Sequence, residues 1–194
     1  RATEAEALLR DAIALQDRVV ASGGTRMMAL TNDLALVLNE LGRYREAAEA
    51  LDASDRFMAE SGLGGSDVVI SLANRASILE SAGNYPDALA LFAQARRSLD
   101  QRGVSIDDTL RRQTARSEAR TLGLSGQHVL ARQRFKDLRE RAAHLDGKDS
   151  GEYAMLTWQL TALARSMLEP DIGLPLLAES EQLWRALVPD THPV

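Results

Sequence analysis

Small residues recur along the chain at an almost constant interval, and each begins a run whose apolar positions lie three or four residues apart. Successive members of the series are 42, 41, 43 and 42 residues apart: Ala5, Ala47, Ala88, Ala131 and Gly173. An apolar residue follows each of them four places later: Leu9, Leu51, Phe92, Phe135 and Leu177. These spacings put residues on one face of a helix. The pattern predicts one amphipathic helix per period, and the small residue of each helix allows close contact with a neighbouring helix.

Another helix is predicted before each of these, and a short turn joins the two. The turn segments Leu41–Ala47 and Ala82–Ala88 are close copies with Gly-x-Tyr near their centre, and Ser125–Ala131 is a weaker copy. The first helices are predicted over Met27–Leu41, Ser66–Ala82, Asp107–Leu124 and Gly151–Leu168. We expect Ser66, Asp107 or Asp108, and Ser150 to cap helices. Glycines such as Gly62, Gly103 and Gly147 are expected to end them.

The third and fourth periods depart from the pattern. Glu118 occupies a place that is usually apolar, and His128 replaces the Tyr of the turn. In the fourth period Glu169-Pro170-Asp171 stands where Gly-x-Tyr is expected. We therefore expect these two repeats to be less regular than the first two.

Composition agrees with an all-α chain. Hydrophobic residues make up 45% of the sequence, which is enough for a core, but aromatic residues make up only 4%. Ala and Leu supply most of the apolar content, which suits thin helices packed side by side. No break in composition divides the 194 residues. One elongated domain is therefore expected.

The small residue, the Gly-x-Tyr turn and the Ala-centred second helix together resemble the signature of the tetratricopeptide repeat (TPR) family. The interval of about 42 residues exceeds the usual ~34 and resembles the kinesin-light-chain-type variant. Leu174-Pro175-Leu176-Leu177 is similar to the Pro-Leu second helix of that variant, and Val188-Pro189-Asp190-Thr191-His192-Pro193 is similar to its linker. The resemblance implies a right-handed α-α superhelix, or TPR solenoid, of about nine antiparallel helices.

This register divides the chain into repeats. It gives a single solenoid domain over 1–194, with a lone second helix at 1–23, repeats at 26–62, 66–103, 107–146 and 150–188, and a linker at 189–194. The chain starts and stops part-way through a repeat. We expect a fragment of a larger protein whose open ends expose apolar surface.

The resemblance also implies a concave groove lined by the first helices, where such proteins hold peptides. The polar and aromatic residues expected to face it are Asn32, Asn39, Asn74, Ser77, Gln113, Arg116, Arg120, Trp158, Gln159 and Arg165. Amides such as Asn32 and Asn74 offer a donor and an acceptor to a peptide backbone, and Trp158 is the expected aromatic anchor. The alternative is that each side chain merely faces solvent.

Charge adds a hypothesis about the ligand. The net charge is −5, yet the segment from Arg102 to Arg141 contains ten basic and only five acidic residues. Arg116, Arg120 and Arg165 are expected toward one end of the groove, where they would favour an acidic or phosphorylated peptide. The alternative is an ordinary solvated helix face. A negative chain argues against direct nucleic-acid binding.

Sequence features of an enzyme are absent. There is no cysteine, and His128, His144 and His192 lack companions at metal-ligand spacing. Gly62-Leu63-Gly64-Gly65 lacks the Lys and the preceding strand of a phosphate loop. We expect no catalytic residue, no cofactor and no metal. No apolar run approaches ~18 residues, so no membrane segment is expected in this fragment and a cytoplasmic location is favoured.

Three functions are compatible with this interpretation. The first is a protein- or peptide-binding scaffold in a larger bacterial signalling or transcription-regulating protein, since 21 Arg against 2 Lys is typical of a GC-rich genome. The second is a sensor that binds a signalling peptide or small molecule in the groove. The third is a self-association module that forms oligomers through its open ends.

Overall fold

Helices make up all the regular secondary structure of the described chain in this computed structural model. The structure describes residues 1–19, 24–60, 62, 64–105 and 107–188, so the predicted linker at 189–194 lies outside it. Within these residues nine α-helices and no strand are found: α1 Ala2–Val19, α2 Gly24–Glu40, α3 Tyr44–Glu60, α4 Ser66–Ser81, α5 Tyr85–Gln101, α6 Thr109–Leu124, α7 His128–Leu145, α8 Gly151–Ser166 and α9 Pro170–Leu187. The all-α class and the alternation of first and second helices are confirmed. None of the described helices combines the length and apolarity needed to cross a bilayer.

Contacts group the helices into two compact units. Residues Arg1–Val104 form the first unit and Ser105–Val194 the second. In the first unit α2 pairs with α3 and α4 with α5, while α1 packs on α2 and α3 on α4. In the second unit α6 pairs with α7, α8 pairs with α9, and α7 packs on α8. Each pair is one predicted repeat, and the prediction of one continuous domain stays a prediction.

The periodic small and apolar residues form the core within each unit. Ala47, Ala88 and Ala131 are fully buried, as are the apolar residues four places later, of which Phe92 and Phe135 are the largest. Around Leu51 the core also includes Ile78 of the following repeat. Because these periodic residues are buried, the helical face predicted from the sequence is the face that packs. Truncation of a buried Phe of this kind to Ala typically costs about 3–5 kcal/mol of stability.

All four turns within repeats share one backbone geometry. In the second repeat Gly83 N donates to Glu80 O and Asn84 N to Leu79 O, a Schellman motif in which Gly83 has φ 80°. Gly42 and Gly126 have the same role, with φ of 75° and 85°. In the fourth repeat Leu168 takes this place with φ 57°.

Two sequence predictions about this turn need correction. The residues aligned with Gly-x-Tyr in the fourth repeat are Leu168-Glu169-Pro170, since Leu168 N donates to Arg165 O and Glu169 N to Ala164 O. The predicted segment Glu169-Pro170-Asp171 was one residue too late. The third and fourth repeats are also as regular as the others in helix length and turn geometry. Main-chain hydrogen bonds therefore maintain the turn even without Gly and Tyr.

Two of the predicted helix caps are confirmed and one is wrong. Asp108 accepts from Leu110 N at 2.9 Å and Arg111 N at 3.2 Å, and Ser150 accepts from Tyr153 N at 3.2 Å. Ser66 is the first residue of α4 itself, and Gly65 occupies the cap position without a side-chain bond. A capping side chain must precede the first helical turn, and Ser66 lies one residue too late to do so.

Helix α1 is tied to the turn between α2 and α3 by a cluster of four charged residues. Arg43 Nη1 lies 2.7 Å from both carboxylate oxygens of Glu6, and its Nε lies 2.8 Å from Glu46 Oε1. Arg10 Nε donates to Glu6 Oε1 at 2.9 Å. The Arg10 hydrogen bond is the largest cause lowering the pKa of Glu6, with Arg43 adding to it and partial burial opposing. The Arg43 hydrogen bond likewise lowers the pKa of Glu46.

The left-handed backbone of Leu168 generates the first prediction. Replacing Leu168 by Gly should raise the free energy of unfolding by about 1 kcal/mol, because a non-Gly residue in this conformation costs roughly 1–2 kcal/mol. The Leu168 side chain is 87% exposed, so little burial is lost. Urea unfolding of both proteins measures the change.

Gly83→Leu is the matched control for this change. A Cβ at Gly83 would meet no atom within 4 Å, so the substitution tests the backbone alone and should destabilise by a similar amount. Equal stability of Leu168→Gly and the parent protein would contradict the strain argument.

The charged cluster at α1 generates the second prediction. Both carboxylates have a folded-state pKa below the ordinary 4.5, so their stabilising effect is present above about pH 4.5 and is lost as pH falls through the lowered values. The thermal midpoint of Arg43→Met should therefore fall less between pH 6 and pH 3 than that of the parent. Arg45→Met, which removes an exposed neighbour 3.7 Å from Glu49, should follow the parent. Parallel curves for Arg43→Met and the parent would exclude the cluster as a source of acid sensitivity.

Candidate functional site

The first unit holds four of the ten residues predicted to face a groove, and two of them bond to each other. Asn74 Nδ2 on α4 donates to Asn32 Oδ1 on α2 at 2.8 Å, and both side chains are half-buried. The bond uses the Asn32 carbonyl and one of the two N–H groups of the Asn74 amide. First helices of successive repeats thus lie side by side, joined by an amide–amide hydrogen bond.

The other two predicted residues of the first unit are less available to a ligand. The Ser77 hydroxyl donates to the Ala73 carbonyl one turn earlier at 3.0 Å. Asn39 Oδ1 is buried, and no partner for it is found among the described residues. Ser77 therefore serves its own helix, and the Asn39 carbonyl points away from the surface.

In the second unit Arg116 is already paired. Its Nη1 lies 2.6 Å from Glu152 Oε2, an ion pair that joins α6 to α8 with both side chains about three-quarters buried. Seven residues separate Glu152 from Gln159, which puts the two on one face of α8. Because Glu152 neutralises Arg116, this arginine presents less charge to a ligand than the sequence predicted.

Arg120 and Gln159 come together in a small cavity between α6 and α8. The cavity has a volume of about 150 Å³, and Leu124, Ala162 and Phe135 contribute apolar surface to it. It holds an amide, a guanidinium and an apolar wall within one recess. This is the place where the predicted residues converge.

The remaining predicted residues lie on more open surface. Trp158 on α8 is 47% exposed, and Gln113 on α6 is exposed. Arg165 is exposed and lines an apolar recess near the α8–α9 turn, with Leu168 and Leu174. The three arginines predicted at one end of the groove therefore do not share one cavity. Arg116 is in an ion pair with Glu152, Arg120 lines the α6–α8 recess, and Arg165 lines the α8–α9 recess.

The basic segment Arg102–Arg141 is largely neutralised by carboxylates that follow it in the sequence. Four of its arginines bond acidic residues beyond its end: Arg112 with Asp146, Arg116 with Glu152, Arg132 with Glu169 and Arg139 with Glu179. Each pair joins neighbouring helices or turns inside the second unit. Much of the local excess of positive charge therefore serves packing between repeats.

A cluster of Tyr153, Arg139 and Glu179 fills the groove between α7 and α9 over α8. Arg139 Nη2 lies 2.5 Å from both Tyr153 Oη and Glu179 Oε1, and its guanidinium lies 4.6 Å from the ring centroid. Burial raises the pKa of the Tyr153 hydroxyl, and its hydrogen bond to Glu179 raises it further. The hydroxyl is a protonated donor to Glu179, so the cluster is a structural plug.

Metal-binding groups are not found in the described part of the chain. No group of three His, Asp or Glu side chains there is placed to hold an ion. His128 is half-buried and His144 is exposed, while His192 lies outside the described residues.

Sequence reasoning missed Glu152. The signal was present, because an acidic residue in the first turn of α8 shares a face with Gln159. It could be found only by pairing α6 with α8 at a separation of 36 residues.

Several solved structures share this fold. BtubC (BKLC) from P. vanneervenii superposes with a TM-score of 0.79 at 15% identity, covering 100% of this chain and 77% of its own. The nearly identical TPR-like repeats of a Podosopora anserina protein, assigned as a kinesin light chain, give 0.68 at 18% identity, covering 94% and 87%. A point variant of the same Podosopora anserina repeats gives 0.70 at 18% identity, covering 94% and 86%.

No protein-family model matches the sequence, and no curated protein matches it either. At 15–18% identity the solved structures establish the fold alone. The chain has a helical-repeat fold like that of the TPR-like proteins, which confirms the resemblance inferred from its turns and its period.

Proposed function

We propose that this chain binds a peptide or a partner protein through the first helices of each unit. The observation that supports this most directly is Trp158, a large aromatic side chain left 47% exposed on α8. Trp is among the residues that contribute most to protein interfaces. Gln159 and Arg165 on the same helix would supply hydrogen bonds around it. In the first unit the Asn32–Asn74 pair would hold a peptide backbone.

The ligand that suits this surface carries a carboxylate or a phosphate. Arg165 is exposed and could donate to an acidic group, and Arg120 lines the nearby α6–α8 recess. Glu152 competes with such a ligand for Arg116, because its carboxylate lies 2.6 Å from the Arg116 guanidinium. An acidic ligand would have to exchange with the Glu152 carboxylate to reach Arg116.

The setting we propose is a regulatory part of a larger bacterial signalling or transcription-regulating protein. A binding module without catalytic residues acts by bringing partners together. The Arg-rich, Lys-poor composition supports a bacterial source with a GC-rich genome.

A small-molecule sensor at the same face is less well supported. Pockets for drug-sized ligands usually have volumes of roughly 300–1,000 Å³. The recess beside Arg120 has only about 150 Å³, and Trp158 is open rather than enclosed. The surface around Trp158 and Arg120 therefore suits side chains of an extended partner better than a small molecule, whereas the apolar recess that Arg165 lines has about 480 Å³.

Self-association is a second candidate, favoured by one observation. Helix α9 exposes Leu174, Leu177 and Trp184 along one stripe. In the first unit the residue that corresponds to Leu177 is Leu51, which packs with Ile78 of the following repeat. A second copy could cover this stripe, and sedimentation of the chain over a range of concentrations would reveal such an oligomer.

The third prediction tests the proposed site with an array of acidic and phosphorylated peptides. For the peptides that bind, Trp158→Ala should lower affinity about tenfold or more, as expected of an aromatic hot spot. Arg165→Ala should lower it up to about fivefold, since an exposed ion pair is worth up to ~1 kcal/mol. Glu152→Gln should raise it by releasing Arg116. Binding should weaken as salt is raised.

Arg134→Ala is the matched control, because it removes an exposed arginine from the second helix α7. Its affinity should equal that of the parent. Peptide binding that is indifferent to Trp158→Ala and to Arg165→Ala would move the site away from the first helices.

A further inference from the structure

Another cavity lies in the first unit, between the second helices α1 and α3 and over α2. It has a volume of about 540 Å³, within the range of roughly 300–1,000 Å³ that is usual for small-molecule pockets. Ile13, Met27, Leu34 and Phe57 contribute to an apolar floor from all three helices. This cavity is separate from the face proposed above to hold a peptide.

The same groove is plugged in the last repeat. Ile13, Met27 and Ala53 occupy the repeat positions that Arg139, Tyr153 and Glu179 occupy three repeats later. Arg139 stacks on Tyr153 there and bonds Glu179, so a cation, a ring and a carboxylate fill the space between second helices. In the first unit smaller or apolar side chains stand at all three positions, and the groove stays open.

The groove of the next repeat contains an ion pair in place of apolar residues. Ile13 and Leu34 correspond to Asp55 and Arg75 one repeat later. Arg75 Nη2 lies 2.8 Å from Asp55 Oδ2 and 2.8 Å from Asp52 Oδ1, which joins α3 to α4. Neither Ile13 nor Leu34 can form such a pair. Apolar residues at both positions therefore distinguish the groove between α1 and α3 from the groove of the next repeat.

The rim of the cavity is negatively charged. Asp17, Glu46 and Glu49 line it together with the cation Arg10. That cation is shared between Glu6 at 2.9 Å and Glu46 at 3.5 Å, Arg43 also bonds Glu46 at 2.5 Å, and Arg45 lies 3.7 Å from Glu49. Asp17 is the rim carboxylate for which no ion pair is found among the described residues. An apolar floor under a net negative rim complements a molecule with an apolar body and a positive charge.

We infer that the cavity between α1 and α3 binds a small organic cation with an aromatic or branched apolar body. The body lies against Ile13, Met27 and Phe57, where the Met27 thioether favours contact with a ring. The ammonium or guanidinium group lies at the rim, beside Asp17. The bound molecule would fill the groove as Tyr153 and Arg139 fill it in the last repeat.

The fourth prediction tests this site with two probes of similar size and opposite charge, 2-phenylethylammonium and 2-phenylacetate. Methyl NMR of the whole chain should show saturable shifts at Ile13 and Met27 with the ammonium probe at millimolar concentration. The carboxylate probe should bind about fivefold more weakly, because it loses an exposed ion pair worth up to ~1 kcal/mol and meets a repulsive carboxylate instead. Absence of saturable shifts, or equal affinity for the two probes, would overturn the proposal.

Variants locate the binding site. The triple variant Ile13→Arg/Met27→Tyr/Ala53→Glu copies the plug of the last repeat and should abolish binding. Ala53→Leu is a milder filling that tests the same point if the triple variant fails to fold. Asp17→Asn should weaken the ammonium probe up to about fivefold, whereas Asp11→Asn, an exposed carboxylate elsewhere on α1, should leave affinity unchanged. Full binding by Ala53→Leu would exclude this cavity as the site.

Discussion

The structure of every repeat depends on the close approach of its two helices, which a small side chain near the start of the second helix permits. Ala47, Ala88 and Ala131 are fully buried at this contact. In the last repeat a Cβ added to Gly173 would lie 3.5 Å from the Ala164 Cβ, so an alanine would fit there as well. Because protein interiors are close-packed, a longer side chain at this position would separate the helices and expose the apolar residues that follow.

What differs between repeats is the groove between neighbouring second helices. An ion pair of Arg75 on α4 with Asp55 on α3 lies in one groove, and Arg139 stacked on Tyr153 fills another. The first groove has apolar residues at these positions and remains open. Side chains at these positions differ between repeats although the small-residue contact is kept, and Leu34 in the first groove also joins the core around Leu51. Positions of this kind are where a repeat can acquire a ligand.

The sequence predicted the helices, their partners and the buried face, because each is repeated at one period and one copy supports the next. Ser66 and Leu168 were misassigned because a cap or a turn depends on a single residue of register. The ion pair of Arg116 could not be predicted from the sequence of α6 alone, because its partner Glu152 lies on another helix. The cavity between α1 and α3 was missed for the same reason, since a void is defined by three helices at once.

The turn at Leu168 illustrates why fold and function separate in such a chain. The Schellman hydrogen bonds form there although neither Gly nor Tyr is present, so the backbone of the repeat does not require its signature residues. Solved structures at 15–18% identity can therefore share the backbone although most of their residues differ from those of this chain. Ligand choice must then come from side chains that the period does not dictate, such as the exposed Trp158 or the acidic rim formed by Asp17 and Glu49.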